Sequence, residues 1–522
     1  MTGKDGPHMA TPVTALGIDV GTTNVKVALV RGDGTTAAGA QRPLSMTRSG
    51  EVAEQDAEAV WAALAEAVRE VTGAAPEAAR GTRAVGVCSQ YSSVVPIDEH
   101  ARPLAPMIMW QDTRGTDRSL DIMARDGNAF FTWVERHGIP PVGGGLSLAH
   151  LLYLQHDRPE IHARTKAYVE AMDFVTARCT GRITATQHST FMYQLCDNRS
   201  LEPPAYDDEL VKLAGVDPER LPPLVPIDAE IGSLVPAVAD ALGLDRAATV
   251  YAGTNDTATA AVATGTFAPG RAGISIGTTS VLVDEVDAFR ADLDHQIFSM
   301  PAPFPRRYVV MAENGLGGRI LEHWLRNLVY TADELGDHAA DEPFAALDAA
   351  LRAGRPGAGG VMFLPWLAGA SAPQGGSSMR GGFVNMSLET TRRDLARAVA
   401  EGVAHNLRAL LPPVDEFTGN AIDEIALVGG AARSAAWCQI LADVLDRPIV
   451  APNAPDVAIA RATALLALQR AGEWSLSDLE REPSSEVRRY EPDPSNRALF
   501  SDRHRQFEAA YAALLPISEA LS

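Results

Sequence analysis

Apolar residues along this chain recur with two periods. Short apolar or alternating runs bounded by turn residues predict strands at Ala84–Cys88 (AVGVC), Ser93–Ile97 (SVVPI), Thr249–Gly253 (TVYAG) and Glu424–Val428 (EIALV). A 3.6-residue stripe predicts helices over Ala57–Val71, Arg392–Leu411 and Ser434–Leu445; Leu395, Val399, Val403 and Leu407 form the buried face of the second. The small-residue stretch Asp256–Ala263 predicts a further helix, opening from the polar loop after TVYAG. Strands and helices alternate, so the class is α/β. From Glu473 onward the pattern is polar and weak. It predicts a surface extension that closes in a helix around 500–515.

One segment occurs twice. Residues 17–27 read GIDVGTTNVKV and residues 273–283 read GISIGTTSVLV, with the Gly, Ile, Gly, Thr, Thr, Val and Val identical. Each copy predicts a short strand, a Gly-Thr-Thr turn and a second alternating strand, which together make a β-hairpin. Two copies half a chain apart imply a duplicated fold. Pro269 and Gly270 break the pattern at Phe267–Arg271, which places the junction there. The expected domains are 13–268 and 269–470, followed by an extension over 471–522.

At 522 residues the chain has room for several domains, and 46% hydrophobic against 21% charged residues excludes a largely disordered protein. The net charge of −21 excludes nucleic acid or an anionic membrane as the main partner, since phosphate backbones need a basic face. It leaves room for a small phosphorylated ligand held by backbone N–H groups and a metal. No apolar run is long enough for a membrane helix, and the N-terminal MTGKDGPHMATPV lacks the apolar core of a secretion signal. Its Gly6-Pro7-His8-Met9 looks like a cloning remnant and carries no fold argument. Cys88, Cys179, Cys196 and Cys438 have no ligand-like spacing and read as reduced, buried thiols of a cytoplasmic protein.

A Gly-Thr-Thr turn presents consecutive N–H groups and hydroxyls, which suit phosphate oxygens. Asp19 stands just before the first turn. Its carboxylate would repel a bare phosphate but holds a Mg2+ ion that neutralises it; its counterpart in the second copy is Ser275. Two such hairpins and one carboxylate suit a nucleoside triphosphate, with two ligand-free tight turns as the alternative. Val428–Ser434 (VGGAARS) predicts a strand running into a glycine turn that opens a helix. Its small residues admit a ring or phosphate to the backbone, although many α/β proteins use such a turn only to pack. In Gly253–Ala258 (GTNDTA), Asp256 begins a helix, either as a cap or, ahead of the second hairpin, as a catalytic group. Neither a GxxxxGK[ST] loop nor a GxGxxG fingerprint is present.

Taken in order, seven segments resemble the FGGY family of carbohydrate kinases over residues 13–470, its xylulokinase-like members above others. They are GIDVGTTNVKV, WQDTR (110–114), MDFVTARCTGRI (172–183), GTNDTATAA (253–261), ISIGTTSVL (274–282), RGGFVNMSLETTRRDLARAVAEG (380–402) and LVGGAARSAAWCQILADVLDRPI (427–449). The resemblance implies two duplicated ribonuclease-H-like domains of the actin-like ATPase superfamily, facing across a cleft that closes on ATP and sugar. It implies ATP and Mg2+ as cofactors, with Asp19 ordering the metal. Gly21, Thr22, Thr23, Gly277, Thr278 and Thr279 would contact phosphates, and Gly429, Gly430 and Ala431 would lie near the adenosine. Asp256 would be the catalytic base. Trp110, Asp112 and Arg114 would border the sugar pocket, with Gln90 and Tyr91 where pentulose kinases typically show Gln-Met-His.

Besides that change at Gln90-Tyr91-Ser92, three further residues depart from the family pattern: Asn385 and Ala431 replace glycines, and His150 replaces a lysine. Lys26 receives no role. The implied substrate is a small sugar or polyol: a ketopentose such as D-xylulose or D-ribulose first, then a tetritol or glycerol, then gluconate. The last is suggested by Glu313–Gly318 (ENGLGG), which is similar to gluconokinase-like members. The rival reading is an actin- or Hsp70-like nucleotide switch without a small acceptor. No nucleic-acid or membrane partner is expected, and a homodimer is left open.

Overall fold

The computed structural model describes residues 13–333, 336–337, 341–481 and 487–522. The N-terminal segment read above for a leader lies, up to Pro12, outside the described residues. The chain forms two compact units. The first contains the chain up to Thr259 together with Met300–Arg307 and Ile459–Leu479; the second contains Ala260–Ser299, Tyr308–Ala458 and Glu480–Ser522. The parting point falls within the helix Asp256–Thr264, ahead of the expected junction at Pro269-Gly270. A proline and glycine end a helix as readily as a domain, and here they precede the strand Arg271–Ile276 of the second unit.

The main sheet of the first unit runs Glu230–Ser233, Thr249–Tyr251, Thr82–Ser89, Thr14–Val20, Asn24–Arg31, Thr36–Pro43. In the second unit, six strands of an eight-stranded sheet run Val487–Tyr490, Ile449–Pro452, Glu424–Val428, Arg271–Ile276, Thr279–Val286, Tyr308–Leu316. The senses agree pair by pair. Each first hairpin strand is antiparallel to its second and parallel to Thr82–Ser89 or Glu424–Val428. The next strand outward is again parallel, and the edge strand beyond it antiparallel. The repeat is therefore a duplicated sheet as well as a duplicated hairpin.

Local chemistry explains the elements. Asp56 caps the helix Ala57–Ala74 by accepting from the N–H groups of Glu58 and Ala59, and Val60, Leu64, Val68 and Val71 enter the core. The helix Ala458–Arg470 rests where the sheet has no side chains. Gly17 and Gly86 pair across parallel strands, and a Cβ on them would lie 1.9 Å from the Ala460 carbonyl oxygen and 2.5 Å from that of Thr463.

The predicted helix Arg392–Leu411 ends at Arg408, and Leu411–Thr418 forms a separate helix with its prolines in the first turn, where they need no N–H donor. The polar tail is more than a surface extension. Val487–Tyr490 is the last strand of the second sheet, and the helix Arg497–Leu521 buries Phe500 and Phe507, the latter ring 5.0 Å from that of Trp366. Two aromatic side chains separated by a polar stretch leave almost no periodic signal. All four cysteines are buried and free.

Candidate functional site

In the first unit the hairpin brings Asp19 opposite Lys26, because the strands close at Val20 and Val25. Asp19 is buried, and the Lys26 ammonium lies 3.8 Å from its Oδ2. Burial raises the Asp19 pKa, and Lys26 partly offsets this. Asp256 opens the helix Asp256–Thr264 at the end of the same sheet. Burial, then the charge of Asp19, pushes its carboxyl up to about 7, the range of a base poised for neutral pH. Lys26 was legible in principle, since counting back from the hairpin closure sets it opposite Asp19.

Thr22 organises the turn. Its hydroxyl donates to Gln90 Oε1 at 2.5 Å and accepts from Trp110 Nε1 at 3.2 Å, while its carbonyl accepts from Gln55 Nε2 at 2.8 Å. Among the described residues, the N–H groups of Thr22 and Thr23 make no hydrogen bond within the chain, and Thr23 is exposed. Tyr91 lies beside the helix start, its hydroxyl accepting from Thr257 Oγ1 at 3.4 Å. Gln55 and Thr257 carry no sequence signal that would have singled them out.

Three expected sugar-pocket residues sit differently. Asp112 is fully buried; its carboxylate accepts from the backbone N–H groups of Ala53 and Arg114 and from the Arg114 guanidinium. Arg114 continues to Glu54 at 2.6 Å and to Tyr153, over whose ring it lies. The pair pins its loop to the strand Val52–Gln55, and both Asp112 oxygens are already committed there. Gln90 is likewise buried, with its carbonyl given to Thr22. Trp110, Tyr91 and Asp256 retain exposed surface. His150, the expected departure from lysine, is buried and donates from Nε2 to the Asp112 carbonyl at 3.2 Å.

In the second unit the hairpin is one residue tighter, so Ser275 opposes Val281. Gly277 and Thr278 are exposed, and a Cβ on Gly277 would meet nothing within 4 Å. Their carbonyls accept from the N–H groups of Gly318 (2.8 Å) and Gly317 (3.0 Å). The ENGLGG segment thus braces this turn. Its Asn314 is buried and bonded to the Ala372 and Asn406 carbonyls.

Gly429 has φ +88°, and a Cβ there would lie 2.5 Å from the Ile276 carbonyl oxygen, so only glycine seats this turn on the hairpin. The glycine turn does not open the helix directly. Gly430–Arg433 forms a single 3₁₀ turn, and Ser434 then caps Ala435–Leu445 by accepting from Trp437 N–H at 3.0 Å. Gly430 is exposed and Ala431 buried. Asn385 adopts φ +62°, a conformation that asparagine tolerates in place of glycine.

Among the described residues no cluster of three or more His, Cys, Asp or Glu side chains could hold a metal by itself. A metal chelated by nucleotide phosphates needs only one or two protein carboxylates, and the Asp19 carboxylate fits that donor set, with the unpaired turn N–H groups suited to the phosphate oxygens. No helix of the described residues is long and apolar enough to cross a membrane.

Comparison with known proteins supplies the lineage. The profile of the FGGY family of carbohydrate kinases, N-terminal domain, matches residues 14–263, and that of its C-terminal domain matches residues 272–469. The chain is 26% identical over 442 residues to a gluconokinase of Bacillus subtilis, covering 84% of each. It is 25% identical over 437 residues to a xylulose kinase of the same organism, covering 83% of this chain and 84% of that one. A crystal structure of a xylulose kinase from Brucella ovis superposes with a TM-score of 0.83 at 26% identity, covering 98% of this chain and all of that one.

Proposed function

The chain belongs to the FGGY family of carbohydrate kinases and is a sugar kinase with its two-domain, actin-like ATPase fold; from that premise we propose that Asp256 is the base deprotonating the acceptor hydroxyl. The observation that carries this reading is a carboxyl held near pKa 7 at a helix start, facing the charge of Asp19. A base of that pKa is about half ionised at neutral pH and accepts a proton readily. ATP supplies the γ-phosphoryl group, and Mg2+ offsets the charge that spreads over its oxygens. Asp19 orders the metal and Lys26 balances the pair of carboxylates. The open N–H groups of Thr22 and Thr23, with the turn at Gly277–Thr279, hold phosphate oxygens. Gly429, Gly430 and Ala431 border the adenosine, where Gly430, exposed and without a side chain, leaves room for a flat ring.

The acceptor we infer is a small polyhydroxylated compound, a ketopentose before a tetritol, glycerol or gluconate. Tyr91 and Trp110 offer aromatic surface for the C–H face of a sugar, and Asp256 offers the acceptor for its reacting hydroxyl. Asp112, Arg114 and Gln90 support this surface from behind through the bonds described above. The Glu313–Gly318 segment, which suggested gluconate, braces the second hairpin through the N–H groups of Gly317 and Gly318, and its Asn314 is committed to the Ala372 and Asn406 carbonyls. Four buried thiols fit a reducing, cytoplasmic setting. The test is ADP release with each compound in turn, for the parent and for Asp256→Asn. Turnover should depend on one class of acceptor and fall at least ~10²-fold in the variant. Parent-like turnover of Asp256→Asn removes it as the base, and hydrolysis indifferent to every polyol supports the nucleotide-switch reading instead.

A further inference from the structure

The loop that delivers Asp256 is held from two sides by residues outside every motif. His188 is fully buried. Its Nδ1 lies 2.6 Å from the Pro301 carbonyl oxygen, which only accepts, so Nδ1 carries the proton. Its Nε2 accepts the backbone N–H of Asn255 at 3.1 Å, which requires that nitrogen to be bare. The imidazole is therefore neutral and of one tautomer. Burial, assisted by the positive charge of Arg470, pushes its pKa down to about 4.

Arg470, at the end of the helix Ala458–Arg470, donates to the carbonyls of Ala252 at 2.6 Å, Ile227 at 2.9 Å and Pro303 at 3.3 Å. Asn255 turns the held loop into a helix start. Its Oδ1 accepts from Ala258 N–H at 2.8 Å, and its carbonyl accepts from Thr259 Oγ1 at 2.7 Å. The peptide before Asp256 is thus fixed at Ala252 by Arg470 and at Asn255 by His188.

We propose that His188 is a positioning residue for phosphoryl transfer: its neutral ring holds the Asn255 peptide and thereby sets where the Asp256 carboxylate stands. This rests on Asp256 being the base. Two amide substitutions separate the two bonds of the ring. Glutamine reaches the Nε2 position and offers an oxygen to Asn255 N–H. Asparagine reaches only the Nδ1 position, so it keeps the Pro301 bond and leaves Asn255 N–H unpaired. A role limited to anchoring Met300–Arg307 would favour asparagine; the positioning role favours glutamine.

The experiment measures kcat, KM and melting temperature for His188→Gln and His188→Asn, each with Asp256 intact and with Asp256→Asn. His188→Asn should lower kcat by roughly 10–100-fold, the scale of a misplaced catalytic group. KM for ATP should stay within about 2-fold, and His188→Gln should keep kcat within about 3-fold of the parent. In the Asp256→Asn background neither substitution should reduce the residual rate further. Asparagine matching or exceeding glutamine, or losses that multiply with Asp256→Asn, would overturn the proposal while leaving the base in place. A parent-like Asp256→Asn overturns the base itself, however the two amides rank. Should His188→Asn fail to fold, His188→Gln decides: parent-like kcat upholds the proposal, and a drop below a tenth at unchanged melting temperature refutes it.

Discussion

At the scale of single residues, what a polar side chain does depends on whether its atoms are already paired. Asp112 and Asp256 look alike in the sequence, yet Asp112 is satisfied by an arginine and two N–H groups while Asp256 faces another carboxylate. Glu170 shows the same principle away from the site. It is fully buried, accepting from Ser93 N–H at 2.9 Å and from the Ser147 hydroxyl, and burial pushes its pKa from 4.5 up to about 7. Between those values the folded state binds a proton that the unfolded chain has released. Stability therefore falls as pH rises from about 4.5 to about 7 and levels off above. Glu170→Gln keeps an acceptor for Ser93 without the charge. Denaturant unfolding at pH 5 and pH 8 should show the parent losing more stability than the variant, by up to about 3 kcal/mol. Equal losses would mean that Glu170 is not the group responsible.

At the scale of elements, the glycines of the sheet mark where a helix backbone arrives. Gly17→Ala would drive a Cβ into the Ala460 carbonyl, and neither a β-strand nor a helix backbone yields easily. A loss of roughly 1–3 kcal/mol or more is expected, as for overpacked cores. Gly73 is the built-in control. It lies in the helix Ala57–Ala74, is exposed, and a Cβ there would meet nothing within 4 Å. Gly73→Ala should stabilise by about 0.5–1 kcal/mol through helix propensity and the stiffer unfolded chain. Thermal melts of both variants check the pair, and a harmless Gly17→Ala would show that the helix can stand off from the sheet.

At the scale of the whole molecule, sequence neighbourhood and structural membership part company. The first unit takes its helix over Gly17 and Gly86 from Ile459–Leu479, far beyond its other residues. A fragment cut at the expected boundary, 13–268, would leave that glycine surface bare and Ala252 without Arg470. It should be insoluble or melt without a cooperative transition, as circular dichroism and calorimetry would show. A soluble fragment with a sharp melt would make the returning helix dispensable.

The hairpins, the main strands and helices, and the family of the chain are legible in the sequence because each rests on local order: alternation, the 3.6-residue stripe, and glycine and threonine at a turn. Asp19 and Asp256 stand out for the same reason, each sitting at the end of a readable element. The opposition of Asp19 and Lys26 needed only the hairpin register. Tertiary structure alone decided that Asp112 and Gln90 face inward, that Asn314 is spent on the Ala372 and Asn406 carbonyls, and that His188 and Arg470 hold the Asp256 loop. It also decided that a polar tail carries two core aromatics and an edge strand. The physical reason is the same in each case. A polar atom's role is set by the partner that saturates it, and those partners come from residues distant in the chain, where no local pattern records them.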